Sequence, residues 1–229
     1  MKHIKWVILG LIISTNLSAQ TKNRTIQLSG TLSDKYPIKM TLTLNGNEVL
    51  GFYFYEKYKS KILLEGQIKG NKITLNESPD IDSEFSIGFI GTLKGDSFFG
   101  IWTDKYQKRT LNFKAHIDSD NLTILPNTTA NIQGTYTNIH NSNNFISSVN
   151  LKYITDNLFC FQISNGTESG CTGYVKGLIK LTDLNKGNYS SDSCEKLTFS
   201  LSTNELTIIE QNCDLHGIRC PFDGKYKKK

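Results

Sequence analysis

Apolar and polar residues alternate with a period of two along much of the chain. Ile38, Met40, Leu42 and Leu44 share one side of their segment, with Lys39, Thr41 and Thr43 on the other. This is the pattern of a strand with one buried face. No window past the first 20 residues carries a helical period. Strand-like runs recur at 25–32, 37–44, 48–55, 61–67, 72–76, 85–93, 97–103 and 109–116, with turn signals Asn45-Gly46, Lys69-Gly70-Asn71 and Lys94-Gly95-Asp96 between them. Read as a two-residue hairpin turn, Asn45-Gly46 sets Leu44 against Asn47, Leu42 against Val49 and Met40 against Gly51. The partner strand is apolar on both sides: Val49, Tyr53 and Tyr55 face inward, while Leu50, Phe52 and Phe54 face outward. Two readings of that outer face stand: it lies under the second half of the chain or a loop, or it is a binding surface.

A second series of runs falls at 133–137, 147–154, 158–164, 169–176, 178–181, 196–201, 205–210 and 222–227, and Gly134-Thr135-Tyr136 echoes Gly30-Thr31-Leu32. The expected fold is all-β, with two consecutive antiparallel meander or barrel-like domains at 20–117 and 132–229. Residues 118–131 join them as a linker with room for a short strand at 122–125.

The first 19 residues read as a signal peptide. Lys2, His3 and Lys5 precede the apolar run 6–13, and Leu17-Ser18-Ala19 supplies a small-residue cleavage site before Gln20. That apolar run is shorter than a membrane-spanning helix requires, so a secreted or periplasmic protein is expected. The formal charge of +5 falls to about +3 without this segment. Setting aside Lys225, Lys227, Lys228 and Lys229 leaves 20 basic against 21 acidic residues. A body so balanced lacks the footprint of a nucleic-acid binder; the lysine tail is a solvated end or a weak contact for anionic surfaces.

Cys160, Cys171, Cys194, Cys213 and Cys220 all lie in the second half. An exported chain meets an oxidising compartment, where disulfides are expected. A turn at Asn165-Gly166 sets Cys160 against Cys171, and one at Thr203-Asn204 sets Cys194 against Cys213, both within bonding reach of a directly opposed strand pair. These are the two expected bonds, with Cys220 left over. Cys213 with Cys220 is a rival pairing, and zinc on Cys213, His216 and Cys220 is a third reading, though no second Cys/His pair completes a closed site.

Asp80, Asp82 and Glu84 alternate in an acidic loop that could hold calcium but lacks the glycine and distal glutamate of an EF-hand. His116, His140 and His216 are scattered, and no nucleophile elbow, His-Glu-x-x-His or Walker loop occurs. Past the first 19 residues, six Asn-x-Ser/Thr sequons, beginning at Asn23, Asn76, Asn121, Asn127, Asn165 and Asn188, follow from composition.

The ending Cys194…Phe199…Leu206…Cys213-x2-His216-Gly217…Phe222-Asp223-Gly224-x-Tyr226 resembles the C-terminus of small secreted β-rich bacterial domains, some loosely grouped with periplasmic lysozyme inhibitors. The resemblance covers the last third of the chain and does not include Cys220. It implies the compartment and a β-module, and, more distantly, inhibition.

The expected function is a non-enzymatic, extracytoplasmic binding module for a protein or glycan, without cofactor or metal. Its candidate binding residues are Leu50, Phe52, Phe54, Tyr53, Tyr55 and Trp102. The alternative is a barrel carrier of a small apolar ligand, with Tyr53, Tyr55, Phe89 and Trp102 as lining. A hydrolase would need convergent carboxylates such as Glu65 and Glu77.

Overall fold

In the computed structural model, residues 22–77, 88–104, 108–125, 127–142 and 144–229 are described. The first 21 residues, expected to include a signal peptide, and the Asp80, Asp82 and Glu84 calcium candidate lie outside them. Strands β1 (Lys22–Leu32), β2 (Tyr36–Asn45), β3 (Glu48–Tyr55), β4 (Ile62–Lys69), β5 (Lys72–Glu77), β6 (Gly88–Lys94), β7 (Ser97–Thr103) and β8 (Thr110–Ile124) follow one another around a closed antiparallel barrel. β8 returns to pair with β1, so no strand edge is left unpaired.

One end of this barrel is built from two-residue turns. Gly46-Asn47, Gly70-Asn71 and Gly95-Asp96 join their strands, and each glycine takes a positive φ, 58°, 63° and 57°. Only a residue without a Cβ enters that conformation freely. The turn therefore lies one residue later than Asn45-Gly46. Leu44 faces Val49, Leu42 faces Gly51 and Met40 faces Tyr53. The shift is even, and side chains keep the faces that the sequence pattern assigns them.

Inward residues fill the barrel axis. Tyr53, Phe89, Phe98 and Phe113 are buried and meet edge to face, with ring centroids 4.8–5.1 Å apart. Gly30, Gly51, Gly66, Gly91 and Gly100 also face inward, where a Cβ would come within 2.1–2.6 Å of a neighbouring strand or ring; for Gly66 the clash is 1.8 Å from Thr74 O. These positions let the sheet curl tightly enough to close. β8 runs on to Ile124 alongside β1, so the segment expected as linker is strand for its first half. A short helix, α1 (Asn127–Ile132), completes the connection.

The second unit comprises β9 (Gly134–Asn138), β10 (Ile146–Thr155), β11 (Leu158–Gly166), β12 (Thr172–Lys180), β13 (Lys186–Ser191), β14 (Cys194–Leu201), β15 (Glu205–Cys213) and β16 (Gly224–Lys228). Consecutive strands pair except β12 and β13, and the first and last strands pair with each other. The cyclic order repeats that of the first barrel, opened at one seam. Two runs expected as separate strands, 169–176 and 178–181, are the single strand β12. β13 was not expected because KGNYSS carries one large apolar residue, Tyr189. The lysine tail is strand β16, with Tyr226 fully buried and Lys225 and Lys227 exposed on either side.

The outer face of β3 lies under the second sheet. Leu50, Phe52 and Leu63 pack with Ile154, Leu158 and Cys160 in a cluster that joins the two units, flanked by Phe54 and Leu178. Lys176 pairs with Glu65 and Lys152 with Glu48 across the same junction. No helix among the described residues is long and apolar enough to cross a membrane.

Candidate binding site at the open end of the first barrel

The cysteines fix the second unit. Cys194 bonds Cys213 across β14 and β15, with Leu201 facing Leu206 and Phe199 facing Ile208 as the Thr203-Asn204 turn requires. The other expected bond is corrected: Cys171 bonds Cys220, and Cys160 is free. Asn165 and Gly166 do not turn the chain. They extend β11, pairing with Gly173 and Thr172, and the loop falls at 167–171. Asn165 Nδ2 instead donates to the carbonyls of Cys220 and Pro221 at 2.9 and 2.8 Å. Cys160 consequently faces Leu178, buried at the junction beside Glu65, and burial pushes its thiol up to about 12. The thiolate, the reactive form, is therefore scarce at neutral pH.

Cys213 and Cys220 sit in different disulfides. His216 Nε2 lies 2.9 Å from Glu210 Oε1, while Glu210 Oε2 accepts the Phe222 amide at 2.7 Å. The His216 ring meets Phe222 edge on. His216 thus braces the 214–223 segment against β15.

The end of the first barrel opposite the tight turns carries its longer connections, and there the side chains open a cavity of about 430 Å³. Period-two alternation places Tyr55 and Trp102 on the inner face at this end, and Tyr36 and Tyr58 extend the aromatic wall. Tyr53, Tyr55 and Tyr58 form an edge-to-face series with centroids 5.6 and 6.5 Å apart. Lys35, Lys57 and Arg109 also line the cavity, and among the described residues no carboxylate does. Lys35 Nζ lies 5.4 Å from the Tyr36 centroid and Lys57 Nζ 5.2 Å from that of Tyr58. Those two rings already hold a cation.

Below the cavity, Glu77 Oε1 accepts from Tyr53 Oη at 2.7 Å and from Trp102 Nε1 at 2.5 Å. Burial raises the Glu77 carboxyl above its ordinary range, and the two hydrogen bonds only partly oppose it. Tyr53 is also raised, first by burial and then by the nearby Glu77 charge. Two donors on one buried oxygen fix the Trp102 indole, so the floor is rigid before any ligand arrives.

The structure brings Tyr55 and Trp102 to this cavity and places Tyr53 just beneath it. Leu50 and Phe52 are covered by the second unit, 7% and 6% exposed, and are not a free surface. Phe54 is half-buried, with Lys59 Nζ 5.6 Å from its centroid. Glu65 and Glu77 sit on opposite faces of the barrel wall, Glu65 toward Lys176 and Glu77 toward the interior, so they do not converge. Tyr36, Tyr58, Lys35, Lys57 and Arg109 were missed because they lie at strand ends and in loops, where no periodicity marks them. The interleaved run Tyr55-Glu56-Lys57-Tyr58-Lys59 was the available signal.

A larger groove of about 850 Å³ runs outside β3–β5 beside the second unit. Glu48, Glu65 and Lys152 on its wall are already engaged in the junction ion pairs. The chain matches no protein-family model, no curated protein and no solved structure.

Proposed function

We propose that this protein is a non-catalytic extracytoplasmic binding module that takes a ligand at the open end of its first barrel. The observation that carries this reading is the convergence of Tyr55 and Trp102 with Arg109 and two lysines on one cavity. Aromatic faces with a few placed polar groups are the usual make-up of a ligand site. The barrel axis below is filled by rings packed edge to face, so a ligand would sit in the mouth rather than inside. Two disulfides and the leader-like first 19 residues support the compartment.

A glycan array read with the wild type, Tyr58→Ala and Arg109→Ala tests this. Tyr58 is 67% exposed and Arg109 is exposed, so neither change disturbs the core. The reading expects array binding that both substitutions weaken. Binding unaffected by either, or no binding at all, would overturn it.

A second reading, recognition of a protein, rests on the 214–221 loop. Ile218 at its tip is 100% exposed, next to exposed Arg219. The Cys171–Cys220 bond and the Gly217 amide on the Thr172 carbonyl (3.0 Å) hold that tip in place. Ile218→Asp should abolish complex formation under this reading and leave glycan binding intact under the first.

A further inference from the structure

We infer that the ligand of the barrel mouth is an acidic saccharide: a pyranose ring carrying a carboxylate, sulfate or phosphate. The inference rests on the binding-module reading above and names its ligand class. An aromatic wall alone would equally suit a quaternary ammonium, the usual guest of an aromatic cage. The charges reverse that choice. Lys35, Lys57 and Arg109 line the cavity without a carboxylate among the described residues, and a cationic guest would face three like charges. An anion gains from all three.

The aromatic faces also divide into two groups. Those of Tyr36 and Tyr58 each lie under a lysine. Among the described residues no cation lies over Tyr55 or the Glu77-anchored Trp102. An indole fixed by a buried hydrogen bond offers a rigid apolar face to the C–H side of a sugar ring. Arg109 makes no ion pair with another described residue and lines the same cavity as Tyr55, whose phenol burial raises and the Arg109 charge only partly lowers. Its guanidinium has the planar fork that takes an oxyanion in two parallel hydrogen bonds. A flat ring on Trp102 and Tyr55 with its acid toward Arg109 satisfies both features at once. The cavity, about 430 Å³, lies in the size range of small-ligand sites.

Trp102 is one of two tryptophans, the other being Trp6. In a Trp6→Phe background of the full chain, indole emission therefore reports the cavity floor directly. Three probes separate the possibilities: a glucuronate-containing disaccharide, the same disaccharide with its carboxyl reduced to the alcohol, and benzoate. The inference expects saturable quenching or a spectral shift with the acidic disaccharide and about tenfold weaker binding of the reduced one. Arg109→Gln should bring the acidic probe down to the level of the reduced one, with the thermal unfolding midpoint unchanged. Equal binding of both disaccharides would overturn the acidic class while leaving a sugar-binding module in place. Benzoate binding without either disaccharide would overturn the saccharide. If no probe binds, and an array of neutral and acidic glycans is also silent, the binding-module reading falls with it.

Discussion

The two units run their eight strands in the same cyclic order, yet one closes and the other does not. In the first, inward glycines on β1, β3, β4, β6 and β7 let neighbouring strands approach, and β8 seals the sheet against β1 without any cysteine. In the second, the inward glycines cluster beside the gap: Gly173 and Gly177 on β12 and Gly187 on β13. There the Tyr189 ring fills the space over Gly177 and meets Phe161 edge to face at 4.9 Å. The closing hydrogen bonds are replaced by side-chain packing, and both disulfides lie on this unit. One barrel is closed by backbone pairing alone; the other stays open between β12 and β13 and carries the covalent cross-links, neither of which spans that seam.

The largest expected effect follows directly. Cys171–Cys220 spans a sequence separation of 49 and Cys194–Cys213 one of 19, which on chain-entropy grounds correspond to about 4 and about 3 kcal/mol. Reduction should strip hydrogen-exchange protection from β9–β16 while leaving β1–β8 protected. Peptide-resolved exchange by mass spectrometry, with and without reductant, makes the measurement. Equal loss in both units would mean that the closed barrel leans on its neighbour, and the contrast would dissolve.

That dependence has its own probe. Phe52, 6% exposed, is the largest side chain of the cluster joining the units. Phe52→Ala should cost about 3 kcal/mol and separate one denaturation transition into two. Trp102 emission, read in the Trp6→Phe background, would follow the first barrel, and near-ultraviolet circular dichroism the sum. A single transition retained at lower denaturant would show instead that the two units still unfold together without the Phe52 ring.

Much of this architecture was legible in the chain. Alternation at 38–44 and 48–55 gave the faces of β2 and β3, and the count outward from Thr203-Asn204 put Cys194 against Cys213 without error. Legibility failed where side chains overrule local turn preference. Asn165-Gly166 has the composition of a hairpin, but Asn165 donates its amide to the carbonyls of Cys220 and Pro221, over fifty residues away in sequence. The true loop is longer, and Cys160 loses its expected partner. The binding mouth was half visible: Tyr55 and Trp102 follow strand periodicity, whereas Lys57, Tyr58 and Arg109 meet them only through three-dimensional closure. The apolar outer face of β3 was legible as a surface seeking cover, and only the fold could show that Ile154 and Leu158 supply it.

A sharper test of closure compares two glycines. A Cβ at Gly66 would stand 1.8 Å from the backbone oxygen of Thr74, and one at Gly177 would stand 2.4 Å from Cε2 of Tyr189. A sealed sheet has nowhere to move, whereas a ring beside an open seam can swing aside. Gly66→Ala should therefore cost about 2 kcal/mol and Gly177→Ala about 1 kcal/mol or less, measured by urea denaturation of each. Equal costs would mean that the seam is as rigid as the ladder.

The smallest effect concerns the buried acid beneath the mouth. Because burial raises the Glu77 carboxyl in the folded protein, folding favours its protonated form. The associated stability is fully present below the carboxyl's unfolded pKa and is lost as pH rises through the folded one. Glu77→Gln keeps an oxygen to accept from Tyr53 and Trp102 but cannot ionise. The variant's first-barrel stability should thus be flat across that window while the wild type declines, so that at neutral pH the variant equals or exceeds it. Trp102-monitored denaturation of wild type and variant from acid to neutral pH reads the difference. A variant weaker than wild type at neutral pH would mean that the two hydrogen bonds to the carboxylate outweigh its desolvation. The mouth would then owe its rigid floor to a charge rather than to a neutral acid, and an incoming anion would meet that charge across the Trp102 ring.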